Sequence, residues 1–238
     1  MQLNRYLALC GFASRRKAND IILNGRVRVN GETVTTLGIQ IDPEKDRVDV
    51  DGRKAVQQAA NTYVLLNKPA GTLTSVSDDR GRKTVIDLVG SNQRLFPVGR
   101  LDFDTEGVLL LTNDGDLSYR LMHPRYEIQK TYRAWVIGPM TDEAIQKLRK
   151  GVLIEEGLKV SGEAVLIKTA STKSLVEITI HEGRKRQVKQ MLRAVGFHVL
   201  YLERTHFAGL TVYNLKRGEW RELNEKEIDR LYRITGLK

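Results

Sequence analysis

Three carboxylates crowd the stretch Gly99-Arg100-Leu101-Asp102-Phe103-Asp104-Thr105-Glu106-Gly107, which lies between two glycines and runs into the apolar segment Val108-Leu109-Leu110-Leu111. A buried strand that closes an acid-rich glycine turn holds a carboxylate rigidly at a cleft, where a neighbour can tune its ionisation. Asp102 is therefore the first candidate for chemistry, set against the plainer role of an aspartate that only forms the turn. Asp104 and Glu106 also permit a glycosidase reading, in which paired carboxylates roughly 5 to 9 Å apart divide acid and base work. Spacing alone leaves that reading open.

Two further constellations accompany the acidic loop. In Lys130-Thr131-Tyr132-Arg133-Ala134-Trp135-Val136 the residue types favour a strand that puts Tyr132 and Ala134 on one face, where the tyrosine could also be ordinary core. In the run Glu182 to Arg193, Arg184, Lys185, Arg186, Lys189 and Arg193 oppose Glu182 alone, while Val188, Met191, Leu192 and Val195 form an apolar stripe up to the stop at Gly196. This pattern predicts a helix over 185–195, with Lys185 and Lys189 one turn apart on another face. Its start, beside Arg184, Lys185 and Arg186, is a candidate phosphate site, the alternative being a solvated basic helix. The histidines 123, 181, 198 and 206 are scattered, and nothing matches a zinc signature, a P-loop, a dinucleotide fingerprint or a Gly-x-Ser-x-Gly elbow. No metal site and no cofactor are expected.

The elements that must hold these groups divide into two domains, as 238 residues of 41% hydrophobic content suggest. The net charge of +10 points to a polyanion, with nucleic acid the leading partner. The basic charge is concentrated at the start: residues 1–30 carry Arg5, Arg15, Arg16, Lys17, Arg26 and Arg28 against Asp20. Leu3, Tyr6 and Leu7 predict one short helix ending near Gly11, and Ser14 caps a second carrying Ala18, Ile21 and Ile22 up to Gly25. Hairpin signals follow at Asn30-Gly31 and Asp51-Gly52. Helix, helix and small sheet make a module over 1–56, in which Ser14-Arg15-Arg16-Lys17 could face phosphates together. The single cysteine, Cys10, fits a small core residue in a reducing compartment, and no run is long and apolar enough for a membrane span. No membrane partner is expected, and the cytoplasm is the expected location.

Residues 57–61 read as a linker and 62–238 as the second domain. There, strand-like segments at 63–66, 95–98, 108–112, 131–137, 163–168, 174–180 and 199–203 alternate with helical ones at 116–122, 142–150, 185–195 and 225–233. Most strand-to-strand links are too short for parallel crossovers, so the expected class is α+β with a mixed, mainly antiparallel sheet. Thr141 is placed to cap 142–150, and Asn224 with Glu227 to open the last helix.

These motifs resemble a known family. Leu66-Asn67-Lys68-Pro69-Ala70-Gly71, Gly99-Arg100-Leu101-Asp102 with Thr105-x-Gly107 and Leu111-Thr112-Asn113-Asp114-Gly115, Lys130-Thr131-Tyr132, and Glu182-Gly183-Arg184-x-Arg186-Gln187-Val188-Lys189 stand in the order and spacing of RNA pseudouridine synthases of the RsuA/RluB branch. The run from Leu3 to Asn30-Gly31, including residues 11–18 and 25–31, is similar to the RNA-binding domain of the S-four type. The resemblance implies that Asp102 is the catalytic aspartate, Tyr132 the tyrosine stacking on the target base, and Lys189 the basic partner of the carboxylate. Related branches carry Arg where Lys189 stands. Arg100, Arg184 and Arg186, with Arg15, Arg16, Lys17, Arg26 and Arg28, are the expected RNA contacts.

The implied reaction converts a uridine of ribosomal RNA to its C5-glycoside on a flipped-out nucleotide. It needs no redox step and no energy input. An ionised Asp102 would attack C1′ or remove the C2′ proton, and a cation within about 4 to 6 Å favours the charged form of such a group. Large-subunit RNA or a pre-ribosomal particle is the expected partner of a monomeric enzyme. Small-subunit RNA, a non-catalytic ribosome-assembly factor and a base-releasing glycosidase are the alternatives.

Overall fold

Local sequence chemistry sets most element boundaries. In the computed structural model, which describes residues 1–57 and 60–238, the chain forms two compact units, Met1–Asn61 and Thr62–Lys238. Within the expected linker 57–61, Gln58 and Ala59 lie outside the described residues.

In the first unit, helix α1 (Leu3–Leu9) buries Leu3, Tyr6 and Leu7, and α2 (Arg15–Leu23) buries Ala18 and Ile22. Ser14 caps α2, its hydroxyl accepting from the Lys17 amide at 3.2 Å. Strands β1 (Val27–Val29), β2 (Glu32–Val34), β3 (Val48–Val50) and β4 (Arg53–Lys54) form a sheet in the order β2-β1-β3-β4. The turns at Asn30-Gly31 and Asp51-Gly52 have positive φ at both positions, which is why those residue pairs occur there. Cys10 ends α1 and packs against this core, as its type suggested, and burial pushes its thiol up to about 11.

The second unit is a mixed sheet with helices against it. Its strands are β5 (Tyr63–Lys68), β6 (Phe96–Pro97), β7 (Glu106–Thr112), β8 (Lys130–Ile137), β11 (Glu163–Thr169), β12 (Lys173–Ile180), β13 (Val199–Phe207) and β14 (Trp220–Glu222), with a separate pair β9 (Val152–Leu153) and β10 (Lys159–Val160). The sheet order is β11-β12-β8-β13-β7-β5-β14, and β6 pairs with β7. Its pairs are antiparallel except β13 on β7, where Glu203 and Arg204 run alongside Glu106 and Gly107. The α+β expectation holds.

Helices α3 (Val85–Val89), α4 (Gly115–Met122), α5 (Asp142–Lys150), α6 (Gln187–Ala194) and α7 (Glu225–Ile234) complete the unit. Thr141 caps α5, and Asn224 with Glu227 forms a reciprocal capping box on α7. One apolar cluster joins Leu109, Tyr132, Ile180, Val188, Met191 and Leu202, tying α6 to the face of β7, β8, β12 and β13. A second cluster, with Leu110, Leu117 and Leu231, lies on the other face. Alternation along β8 puts Lys130, Tyr132, Ala134 and Val136 inward, so Tyr132 reaches the α6 side with Ala134 as the period of two requires.

Candidate active site

The acidic loop is fixed from beneath. The Thr74 hydroxyl donates to the Leu101 carbonyl at 2.8 Å, the Gly71 amide to Phe103 at 2.8 Å and the Thr105 amide to Asp102 at 3.1 Å. Lys68, fully buried at the end of β5, donates from Nζ to the carbonyls of Pro69 (3.0 Å), Asp102 (3.1 Å) and Thr105 (2.8 Å). Burial pushes the Lys68 ammonium down to about 8, while the carboxylates of Asp104, Glu106 and Asp102 work the other way. A lysine ending the apolar strand Tyr63-Val64-Leu65-Leu66 was the available sequence signal for this clamp.

Above the clamp lies a cavity of about 590 Å³. Asp102 and Thr105 line it from the loop, Lys130 and Tyr132 from β8, Leu202 and Arg204 from β13, and Val188 from α6. The Asp102 side chain is 35% exposed, and the Lys189 ammonium stands 3.7 Å from its Oδ2. The same ammonium, on a side chain only 13% exposed, lies 2.5 Å from Asp104 Oδ1, so Lys189 bridges two carboxylates rather than serving Asp102 alone. The hydrogen bond from Lys189 is the main cause holding Asp104 below the usual carboxylate range.

The three acids of the loop thus occupy three environments. Glu106 accepts from the Tyr201 hydroxyl at 2.7 Å and from Arg217 Nε at 2.5 Å. Burial pushes its carboxyl up, but these bonds outweigh it and hold the group low. Arg217 also pairs with Glu203 at 2.9 Å, making Glu106 part of a structural network. Of the three carboxylates Asp102 lines the cavity.

Arg100, Arg184 and Arg186 are exposed and stand around the same cavity, with Arg184 paired to Glu182 at 3.1 Å. The expected helix start at 185 is corrected: α6 begins at Gln187, and Arg186 before it takes a left-handed conformation with φ of 54°. The buried Gln187 amide closes the preceding turn, accepting from the Arg184 amide at 3.0 Å and donating to Glu182 at 3.2 Å. Lys185 therefore lies outside the helix, and the expected one-turn spacing to Lys189 is absent.

In the first unit, Arg15, Arg16 and Lys17 are exposed on the opening turn of α2, and Arg28 is exposed on β1. Arg26, also exposed, is held by Asp51 at 2.5 Å. Sequence reading missed an aromatic and basic surface on the second unit, where Tyr119 and His123 rings lie 5.1 Å apart and the Arg125 guanidinium is 4.6 Å from the Tyr126 ring centre. Its signal was the interleaved Tyr119-Arg120-Leu121-Met122-His123-Pro124-Arg125-Tyr126. Among the described residues, no helix is long and apolar enough to cross a membrane.

Residues 62–194 match the family model for RNA pseudouridylate synthase, and residues 1–48 match that of the S4 domain. The chain belongs to the RNA pseudouridylate synthase family. It is 44% identical to ribosomal large subunit pseudouridine synthase B of Bacillus subtilis, over 97% of this chain and 95% of that protein. It is 42% identical to an RNA pseudouridine synthase of Aquifex aeolicus, over 100% of this chain and 96% of the other. A solved pseudouridylate synthase superposes with a TM-score of 0.69 at 29% identity, covering 97% of this chain and 99% of its own. The synthase is thus an enzyme acting on RNA, and the non-catalytic assembly factor is set aside.

Proposed function

We propose that the synthase isomerises a uridine of large-subunit ribosomal RNA in the cytoplasm, as a monomer, with Asp102 as the reacting group. The observation that carries this reading is one cavity holding Asp102 and Tyr132, with the shielded Lys189 ammonium 3.7 Å from the carboxylate. The name of the Bacillus subtilis relative supports the choice of subunit.

The target nucleotide leaves its stack at a cost of a few kcal/mol, which stacking on Tyr132 offsets in part. Asp102 attacks C1′, or removes the C2′ proton to give a glycal, as the N1–C1′ bond breaks with its electron pair on the base. The base turns while held and C5 bonds to C1′ as the Asp102–C1′ bond breaks or, on the glycal route, as Asp102 returns the proton to C2′; C5 then loses its proton and N1 gains one. The product is an isomer, so nothing is oxidised or reduced. Lys189 places an opposite charge 3.7 Å from the Asp102 carboxylate, and Lys68 keeps the loop from rearranging as charge moves.

Incubating the synthase with separate large-subunit and small-subunit RNA transcripts tests the reading. Pseudouridine is expected in the former; its formation in small-subunit RNA alone would overturn the choice of subunit.

Lys189→Met is expected to lower kcat about 10- to 100-fold at neutral pH, with Lys189→Arg keeping most activity because it retains the charge. Parent activity in Lys189→Met would remove Lys189 from the chemistry. The variant also removes the bond that holds Asp104 low. A depressed carboxylate stabilises the fold above its unfolded pKa and loses that contribution as pH falls through its folded value. Any stability lost in Lys189→Met through this bond should therefore be visible at pH 7 and vanish in acid, as thermal melts across pH would show.

The S4 unit is expected to bind phosphates through Arg15, Arg16, Lys17 and Arg28. Replacing Arg15, Arg16 and Lys17 together by Gln should flatten the slope of log affinity against log salt by roughly 0.7 to 0.9 for each phosphate no longer neutralised. Arg26→Gln should change the slope less, since Asp51 already holds that guanidinium. An unchanged slope in the triple variant would show that its charges are only solvated.

A further inference from the structure

Arg204 is 2% exposed, yet its Nη2 has no hydrogen-bond partner among the described residues. The rest of the side chain is held in place: Nε donates to the Val108 carbonyl at 2.9 Å, and the guanidinium lies 4.8 Å from the Phe207 ring centre. In the ladder of β13 with β8, Arg204 stands directly opposite Tyr132, and both line the cavity. Cross-strand neighbours of this kind have Cβ atoms about 4.5 to 5.5 Å apart, so a base stacked on Tyr132 is within reach of the guanidinium. A second buried polar atom without a partner, Thr105 Oγ1, belongs to the same cavity wall. Buried donors without partners are rare and costly, and two on one cavity mark a place built for a polar ligand.

We propose that Arg204 Nη2 donates to a ring carbonyl of the flipped uracil, making Arg204 a catalytic residue that also reads the base. The uracil edge alternates carbonyl, N–H and carbonyl, which suits a guanidinium donor together with a hydroxyl such as Thr105 that accepts or donates. When the N1–C1′ bond breaks, the electron pair left on the base spreads onto O2 and O4. A fixed, buried cation then binds the departing base more strongly than the ground state, which raises kcat more than affinity. The neighbouring Lys130 is already held by the carbonyls of Ile128 (2.6 Å) and His181 (3.2 Å), whereas Arg204 Nη2 is a buried nitrogen with no partner among the described residues. This assignment rests on Tyr132 as the stacking residue and Asp102 as the reacting group.

The test uses a ribosomal RNA fragment that the parent modifies, made with uridine, 2-thiouridine or 4-thiouridine at the target, because sulfur accepts a hydrogen bond poorly. One thio substitution is expected to slow the parent about tenfold, and the position that does so names the carbonyl. Arg204→Gln should be slow on the all-oxygen RNA with its RNA affinity kept, and its thio effect should fall below about twofold, as expected when both partners of one bond are removed. Equal thio effects in parent and variant would overturn the proposal. So would a parent indifferent to both substitutions, a result that holds whether or not Arg204→Gln folds. Arg204→Lys, which keeps a charge and a donor, should recover part of the rate. Activity of Asp102→Asn on the all-oxygen RNA would instead defeat the underlying reading of the site.

Discussion

Asp102→Asn is expected to lower pseudouridine formation on the order of 10⁴-fold or more while RNA affinity stays within about twofold of the parent. An amide of nearly the same shape can neither attack C1′ nor take a proton from C2′, and no second carboxylate lines the cavity among the described residues to replace it. The phosphate-binding groups that supply most RNA affinity lie on other side chains, so binding should survive. Asp104→Asn should keep most activity, because Lys189 retains Asp102 as a partner 3.7 Å away. Glu106→Gln should weaken the Arg217 and Tyr201 network without removing the reacting group. Single-turnover assays with parallel RNA titrations check all three. An active Asp102→Asn beside an inactive Asp104→Asn or Glu106→Gln would move the chemistry to another acid of the loop.

Gly107→Ala is expected to cost about 3 kcal/mol or more, lowering the melting temperature by about 10 °C. Gly107 has a φ of 103°, where side chains are strained, and a Cβ there would lie 2.2 Å from the Arg204 carbonyl oxygen. The obstacle is backbone, so it cannot swing aside as a flexible side chain would. Gly107 also joins the acidic loop to β7 where that strand runs parallel to β13. Separating those strands would disturb Asp102 and Arg204 together, so any folded variant should lose activity as well. Thermal unfolding of the full chain measures the effect, and a melting temperature within about 2 °C of the parent would show that β13 yields more easily than its pairing implies.

Much of this fold was legible because local chemistry sets it. Asn30-Gly31 and Asp51-Gly52 tolerate positive φ, Ser14 and Asn224 offer oxygens to free helix amides, and Leu3, Tyr6 and Leu7 repeat at helical spacing. Elements that depend on distant partners were not legible. Strand β14 is only Trp220–Glu222 and exists by pairing with β5, while α3 is five residues long. The start of the helix carrying Lys189 was read two residues too early, since the basic run continues the helical pattern while the Gln187 amide folds the chain back.

The candidate site divides in the same way. Asp102 stood out by its setting between glycines, and the resemblance singled out Tyr132 and Lys189. The division of labour among the acids depends on pairings far apart in sequence, such as Lys189 with Asp104 and Arg217 with Glu106. Lys68 and Arg204 were hidden for the same reason. A cation in an apolar strand announces burial, but only the fold shows what its N–H groups face.

The most direct test is a pseudouridine map of ribosomal RNA from cells lacking the synthase, complemented either with the parent or with Asp102→Asn at matched protein levels. A large-subunit pseudouridine is expected to disappear on deletion, to return with the parent and to stay absent with Asp102→Asn. Restoration of that pseudouridine by Asp102→Asn would contradict the assignment of the reacting group. Loss confined to small-subunit RNA would contradict the substrate.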